Sequence, residues 1–545
     1  MPEQPRYGNR FFKLWAPIFA NVNTITQLNS VVARYSADWL EKANSTEPET
    51  TSTEFSSANP PRPYSVKPSR NQSRAQQRAR KKKKFDGDEA SRVQKLFRMY
   101  PRRAVRHVLG DKSPAYTGTL DAAKTHLHET YHRPLTSTEQ CDRARTLFNN
   151  CCWTEPDENQ LTYLGSPPTQ EHEGKVSGAT NTAAGQDGLE YRHLRMLDPQ
   201  GKLLEVIFSR VRELGIPETW KESRTVPIFK KASTDELVNF RPISLLCTQY
   251  KILSGLISRN LCAAAVDLGW ISNEQKAFLS GIHGIQEHTQ LLQAAVEETK
   301  TKKRNLYITW LDLCKAFGSV PHPIIAELLD SIPIPTDLRR ILVDIHTNNI
   351  VKFAVGKETV SINPAAGVRQ EDALSSTFFN LVAEPLIRAA RSSLNPGFQL
   401  FGQKVKTTAY ADDISVVSSG DHQDVLDSLV STAGLLGLSF NGSKCCNLSF
   451  LKGKPSTQSY TINGEGIRSL GPNDHETYLG FPIGTKTLYR PPTLLIPQLD
   501  KVRDSLLAPY QKLEVYRAHL LPSLCHHLAS GRCEKETLES LDIEC

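Results

Sequence analysis

The chain has 545 residues, of which 39% are hydrophobic and 23% charged, and its formal net charge is +8. That length and apolar content support two or three packed domains and exclude disorder throughout. No run of about 18 apolar residues occurs, and Arg6, Arg10 and Lys13 interrupt the start, so the chain reads as soluble, without a membrane span or secretory leader.

Residues 1–42 hold an apolar cluster of Phe11, Phe12, Leu14, Trp15, Ile18 and Phe19. A short helix fits it, but Pro17 interrupts the pattern and leaves the segment unassigned. Residues 43–88 are rich in Ser, Thr, Pro, Asn, Gln and Arg, which predicts a disordered basic linker. Residues 66–106 contain fifteen Lys or Arg against three acids, Asp86, Asp88 and Glu89. That concentration suits a polyanionic partner such as nucleic acid, and equally a solubilising tail. Its run Arg80-Lys81-Lys82-Lys83-Lys84 has the form of a nuclear-localisation signal, so nucleus or cytoplasm is the expected compartment. Val93, Leu96, Phe97, Val105 and Val108 then predict a basic helix over 90–108, within an N-terminal extension over 89–184.

From Leu203 the pattern is that of a globular body. Helical spacing fits 249–262, 284–299, 321–330, 336–347, 376–393 and 423–436. Short strands fit 305–311, 351–355, 359–363, 407–411 and 414–418, with Gly356-Lys357 as a hairpin turn. Runs of helices between non-adjacent strands imply α+β architecture. Eleven Cys with no CxxC pair read as reduced packing thiols. Cys525, His526 and His527 lack a second ligand pair at zinc spacing.

Tyr410-Ala411-Asp412-Asp413 stands between two strand-prone runs, which places two acids at a hairpin tip. Neighbours on a strand point to opposite faces, so Asp412 is expected to be the principal metal ligand and Asp413 to assist. Asp312 ends the run Leu306-Tyr307-Ile308-Thr309-Trp310-Leu311 and supplies a third carboxylate. Acids from separate strands suit two Mg2+ ions, with phosphate and water completing the octahedra. Taken singly, each acid reads as well as a capping or turn residue.

The order of the neighbouring motifs lifts these acids above that reading. Asn239-Phe240-Arg241-Pro242-Ile243-Ser244-Leu245-Leu246 is followed by Leu311-Asp312-Leu313-Cys314-Lys315-Ala316-Phe317. Then come Gly367-Val368-Arg369-Gln370 with Asp372, Tyr410 to Asp413, Gly437 to Asn441 with Lys444, and Tyr478-Leu479-Gly480. Gly185-Gln186-Asp187-Gly188 and Gln275-Lys276-Ala277-Phe278 add two weaker blocks. Together they resemble, in order and spacing, the reverse transcriptases of non-long-terminal-repeat (LINE-like) retrotransposons.

The resemblance implies a right-hand polymerase fold, with fingers and palm over 185–485 and a thumb, truncated, over 486–545. It implies an RNA-directed DNA polymerase that takes an RNA template, a DNA primer and deoxynucleoside triphosphates, using two Mg2+ ions or Mn2+ in their place. Arg241 and Lys230 would contact the triphosphate, Phe317 would exclude a ribose 2′-hydroxyl, and Gln370 would lie along the nucleotide and template pair. Asp312, Asp412 and Asp413 would hold metal, and Lys444 would neutralise or protonate the leaving pyrophosphate. Each of these residues also has an ordinary reading as surface charge, core ring or polar loop.

Some positions depart from the pattern. Glu371 stands where the family has Gly, Ala373 and Ser376 where it has Pro, and Gly318 where Phe317 is normally followed by Asp. Glu371 is expected to add negative charge beside the triphosphate, and a further ~1–2 kcal/mol of strain if the position needs positive φ. Gly318 is expected to loosen the segment after Phe317. These departures keep two other readings open: a decayed nucleic-acid-binding relic, and an RNA-processing partner of an intron.

Overall fold

The computed structural model describes residues 5–45, 86–110, 114–131, 136–165, 178, 182–230, 232–355, 358–369, 371–486, 495–529, 535–536 and 538–539. It divides into two compact bodies, residues 1–45 with 113–488, and 46–112 with 489–545. Of the linker expected to be disordered over 43–88, residues 43–45 end helix Ile25–Ser45 and 86–88 cap and open helix Gly87–Met99, while 46–85, the hairpin tip Gly356-Lys357 and the residue Gln370 lie outside the described residues.

In the first body the chain opens with helices Pro5–Ala20 and Ile25–Ser45. Pro17 lies inside the first without breaking it. Phe11, Trp15 and Phe19 recur every fourth residue and are buried, as are Leu28, Val32, Tyr35 and Trp39 on the second helix. The Tyr35 ring lies 4.8 Å from Trp39 and 5.3 Å from Phe19. Trp39 Nε1 donates to the His193 carbonyl at 3.1 Å, which ties the pair to the rest of the body. Each buried ring contributes about 1.5–3 kcal/mol. Together they outweigh the ~3 kcal/mol that an internal proline costs.

Strands β1 (Glu222–Phe229), β2 (Phe240–Leu245), β4 (Ile350–Val355) and β5 (Glu358–Ile362) form one sheet in the order β2-β1-β4-β5. Phe240, Val351, Phe353 and Val360 pack there against Ala123 and Leu127 of helix Leu120–Tyr131. A second sheet runs β11-β10-β3-β9-β8. Its strands are β3 (Leu306–Asp312), β8 (Thr407–Tyr410), β9 (Asp413–Ser418), β10 (Cys446–Leu451) and β11 (Lys454–Ser456). A short hairpin, β6 (Phe398–Leu400) and β7 (Gln403–Val405), stands apart from both sheets. The second sheet carries the candidate site, and β3 is central in it. Tyr307 and Leu311 enter one core cluster while Leu306, Ile308 and Trp310 enter another. That alternation, buried on both sides, is why the run is apolar throughout.

All five predicted strands are present as β3, β4, β5, β8 and β9. The six predicted helices appear as Thr248–Asp267, Gly284–Lys302, His322–Ser331, Thr336–Ile345, Ala373–Ser392 and Gln423–Leu435. Among the described residues no helix is long and apolar enough to cross a membrane.

The second body is helical. The single basic helix predicted over 90–108 is two helices, Gly87–Met99 and Pro101–Leu109. Tyr100, at φ −143° and ψ 75°, breaks them because a following proline disfavours helical backbone. Val93, Phe97, Ala104 and Val105 share a core with Leu495, Val502, Leu507, Val515 and Leu520 from the C-terminal helices.

Burial holds three imidazoles of the first body neutral. It pushes His288 and His422 down to about 4 and His346 down to about 3. In the unfolded chain each takes a proton near pH 6.5. Protons therefore bind the unfolded state preferentially below that pH, and stability falls as pH drops from about 6.5 toward the folded values. We expect a loss on the order of 1 kcal/mol per histidine at pH 5.5, read as a falling thermal midpoint between pH 7.5 and 5.5. A flat midpoint across that range would contradict it.

Candidate active site

β8 and β9 pair antiparallel from Thr407↔Val416 to Tyr410↔Asp413, so Ala411 and Asp412 form a two-residue turn. Ala411 has φ +56°, a conformation that costs a non-glycine residue energy. A buried side chain holds it there. Gln275 Oε1 accepts from the Ala411 N–H at 2.8 Å, and Gln275 Nε2 donates to the Ala411 carbonyl at 3.4 Å. The backbone around Gln275 runs alongside Ala409, with Lys276 N–H donating to the Ala409 carbonyl at 3.0 Å and Ala409 N–H to the Glu274 carbonyl at 2.9 Å. The Gln275-Lys276-Ala277-Phe278 block, a weak motif in sequence, thus buttresses the acidic turn. The motif order marks Gln275 but not this contact, because its partner is backbone 136 residues away.

Across β3 and β9, Asp312 stands directly opposite Asp413. Their parity, shared with Trp310 and Val417, puts both acids on one face of the sheet. Asp412 sits half-buried in the turn beside them. The backbone of Asp312 is fixed on both sides: its N–H donates to Cys445 Sγ at 3.4 Å, and its carbonyl accepts from Asn441 N–H at 2.8 Å. Lys444 Nζ lies 3.0 Å from Asp312 Oδ2. Lys444 is exposed, so this pair contributes little stability, and its interest is where it puts a cation.

The three acids burden one another. Burial raises Asp412, and the charge of Asp312 adds to it. Asp413 is exposed at the start of β9, yet the protein packed around it and the charges of Asp412, Asp312 and Glu476 push it up to about 6. Carboxylates directly opposed on neighbouring strands repel. A divalent cation relieves such crowding, and hard carboxylate oxygens are its preferred donors. Among the described residues no group of three His, Cys, Asp or Glu side chains is placed to hold a metal ion. The carboxylates are still the hard oxygen donors that a divalent cation prefers.

The other expected site residues lie elsewhere in the first body. Arg241 is exposed on β2, opposite Ile228 of β1. Lys230 is exposed just past β1, its N–H bonded to the Asn239 carbonyl at 2.8 Å. Phe317 stacks on Phe379 at 4.6 Å and meets the edge of Phe278 at 6.1 Å.

Two departures take on physical form. Gly318 does not loosen its segment: Val368 N–H donates to the Phe317 carbonyl at 2.8 Å, Gly367 N–H to Val320 at 2.7 Å, and Gly318 N–H to Lys315 at 2.8 Å. Glu371 does have positive φ, +74°, so the backbone strain is present. Its charge, however, has an opposite neighbour. Glu371 and Lys251 line one cavity of about 640 Å³ together with Tyr191, Ser244 and Ser254. Burial lowers the Lys251 pKa, while Asp187 and Glu371 favour its charged form. Neither Arg241 nor Lys230 lines that cavity.

Residues 228–483, which hold the second sheet and most of the first, match the family described as reverse transcriptase (RNA-dependent DNA polymerase). The first body therefore contains a reverse-transcriptase domain. A Pol polyprotein from the type-1 retrotransposable element R2 of Nasonia vitripennis is 28% identical over 388 residues, 69% of this chain and 37% of that protein. The R2DM polyprotein of Drosophila melanogaster is 26% identical over 71% of the chain and 37% of its own length. The RNA-directed DNA polymerase from mobile element jockey of Drosophila funebris is 26% identical over 56% of the chain and 34% of its own. The chain is similar to these LINE-like, non-long-terminal-repeat retrotransposon proteins, and spans little more than a third of their length.

Two substitutions test the local physics. Gln275→Leu should cost about 1–3 kcal/mol, since it leaves buried backbone groups unpaired. It should also speed hydrogen exchange at the Ala411 amide more than at Ala409, whose own bond to Glu274 remains; equal rates would remove the clamp from the account. Glu371→Gly should raise unfolding free energy by up to about 1 kcal/mol in urea. Relief of ~1–2 kcal/mol of left-handed strain is partly offset by glycine's greater freedom when unfolded. An unchanged or lower value would mean that Glu371 is not strained.

Proposed function

We propose that the chain is an RNA-directed DNA polymerase of a retrotransposon, extending a DNA primer 3′-hydroxyl on an RNA template with deoxynucleoside triphosphates. The observation that carries this is the placement of Asp312 opposite Asp413 with Asp412 in the adjoining turn, inside a reverse-transcriptase domain. In this reading the fold is a right hand. The sheet holding β3, β8, β9 and β10 is the palm, the β2-β1-β4-β5 sheet belongs to the fingers, and residues 486–545 form the thumb.

Asp312, Asp412 and Asp413 would hold two Mg2+ ions, or Mn2+ in their place. When bound, such ions lower the pKa of the attacking hydroxyl and steady the leaving pyrophosphate. The chain's own residues do the rest. Lys444, beside Asp312, supplies a cation and a proton donor where negative charge leaves the reacting phosphate. Arg241 offers a planar fork of donors for triphosphate oxygens, with Lys230 as a second charge. Phe317, pinned by Phe379 and Phe278, is a rigid wall suited to rejecting a 2′-hydroxyl. Gln370 would align the nucleotide with its template base.

Primer extension on an RNA template with Mg2+ tests this, with Asp412→Ala as control. Wild type should extend, and the control should lose about 10²–10³-fold or more in rate. Phe317→Ala should extend while discriminating against ribonucleotides about tenfold less well. No extension by wild type, despite binding of primer and template, would overturn the catalytic reading.

A further inference from the structure

The second body carries a feature that the polymerase reading leaves unused. Between Glu89 and Asp111 the sequence has no acid, but it has Arg92, Lys95, Arg98, Arg102, Arg103 and Arg106. All six are exposed, and none forms an ion pair with another described residue. The three acids of the segment gather instead at the start of helix Gly87–Met99. There Asp86 caps it by accepting from the Asp88 and Glu89 N–H groups, and Asp88 and Glu89 occupy its first turn, where the helix dipole favours negative charge.

The two helices are not a loose basic tail. Ala90, Val93 and Phe97 of the first and Ala104 and Val105 of the second are buried. The shared core with Leu495, Val502, Leu507, Val515 and Leu520 fixes the apolar faces, so the basic faces turn outward. Polar contacts lock the same seam. Gln94 Nε2 donates to the Leu506 carbonyl at 3.0 Å, and Gln511 Nε2 donates to the Gln94 carbonyl at 3.1 Å. Lys501 Nζ donates to the Leu109 carbonyl at 2.6 Å, capping the second helix. The C-terminal helices thus act as a scaffold that orders six cations.

We infer that this outward face of helices Gly87–Met99 and Pro101–Leu109 is a nucleic-acid-binding surface separate from the carboxylate site. Its partner is the phosphodiester backbone of a duplex, bound without regard to sequence. Five Arg and one Lys on anchored helices, with no acidic partner among the described residues, suit phosphate oxygens. A single-strand site would interleave aromatic rings for base stacking, whereas the exposed aromatic here is Tyr100 alone among the described residues of the two helices. An RNA–DNA hybrid and a DNA duplex share this backbone chemistry, and separate probes distinguish them.

The test uses the full chain and fluorescence anisotropy, without metal or nucleotides, so that it does not depend on catalysis. Probes are a DNA duplex, an RNA–DNA hybrid and a single strand, all of scrambled sequence, titrated across salt concentrations. One variant combines Arg92→Gln, Lys95→Gln and Arg98→Gln, and another Arg102→Gln, Arg103→Gln and Arg106→Gln. Each should lower the log–log salt slope for at least one duplex by about three and weaken low-salt binding about tenfold or more. The thermal midpoint should not move, and Lys in place of each Arg should keep the slope. Contributions from Arg80 to Lys84 are common to all variants and cancel. The inference fails if slope and affinity for both duplexes are unchanged, if only single-strand binding falls, or if the Lys versions lose as much as the Gln versions.

Discussion

Two carboxylates directly across from one another on adjacent antiparallel strands repel, and much of the first body works to hold Asp312 and Asp413 in that position. β3 is anchored by core contacts on both faces, which leaves its last residue no freedom to slide. β9 is tied back through a turn strained at Ala411, and that turn is held by the buried amide of Gln275. Asn441 and Cys445 fix the backbone of Asp312 from the β10 side, and Lys444 brings a compensating charge. Crowded negative charge in a rigid frame stores electrostatic cost, and a bound cation releases it.

Much of this was legible in the sequence, and what was legible was local. The run from Leu306 to Leu311, the paired strands around Asp412 and Asp413, and the helices between them follow from periodicity within a dozen residues. Only the ordered set of motifs singles out the acids, because Asp-Asp in a turn is otherwise unremarkable. What stayed hidden depends on distant partners. β1 and β2 alternate too weakly to stand out, since Val226 and Ile228 face solvent. The helix across Pro17 forms because aromatic rings from a second helix cover it. Gln275 looks like any polar loop residue until Ala411 is brought beside it.

The second body shows the same dependence at greater separation. Residues 87–109 and 495–520 each carry a modest apolar stripe that is insufficient alone, and they meet across nearly four hundred residues of chain to share one core. Contacts of such separation form late and slowly. The apolar seam and its amide and lysine bonds hold this segment helical, and its six exposed cations lie outside that seam.

Divalent-metal binding by the protein alone, followed as a shift in thermal midpoint with Mn2+, examines the opposed carboxylates most directly. Wild type should gain stability with metal. Asp413→Asn should be more stable than wild type without metal, because the repulsion is relieved, and should gain little when metal is added. If Asp413→Asn is less stable than wild type without metal, or gains as much from metal, the opposed carboxylates are not the constraint on which this structure turns.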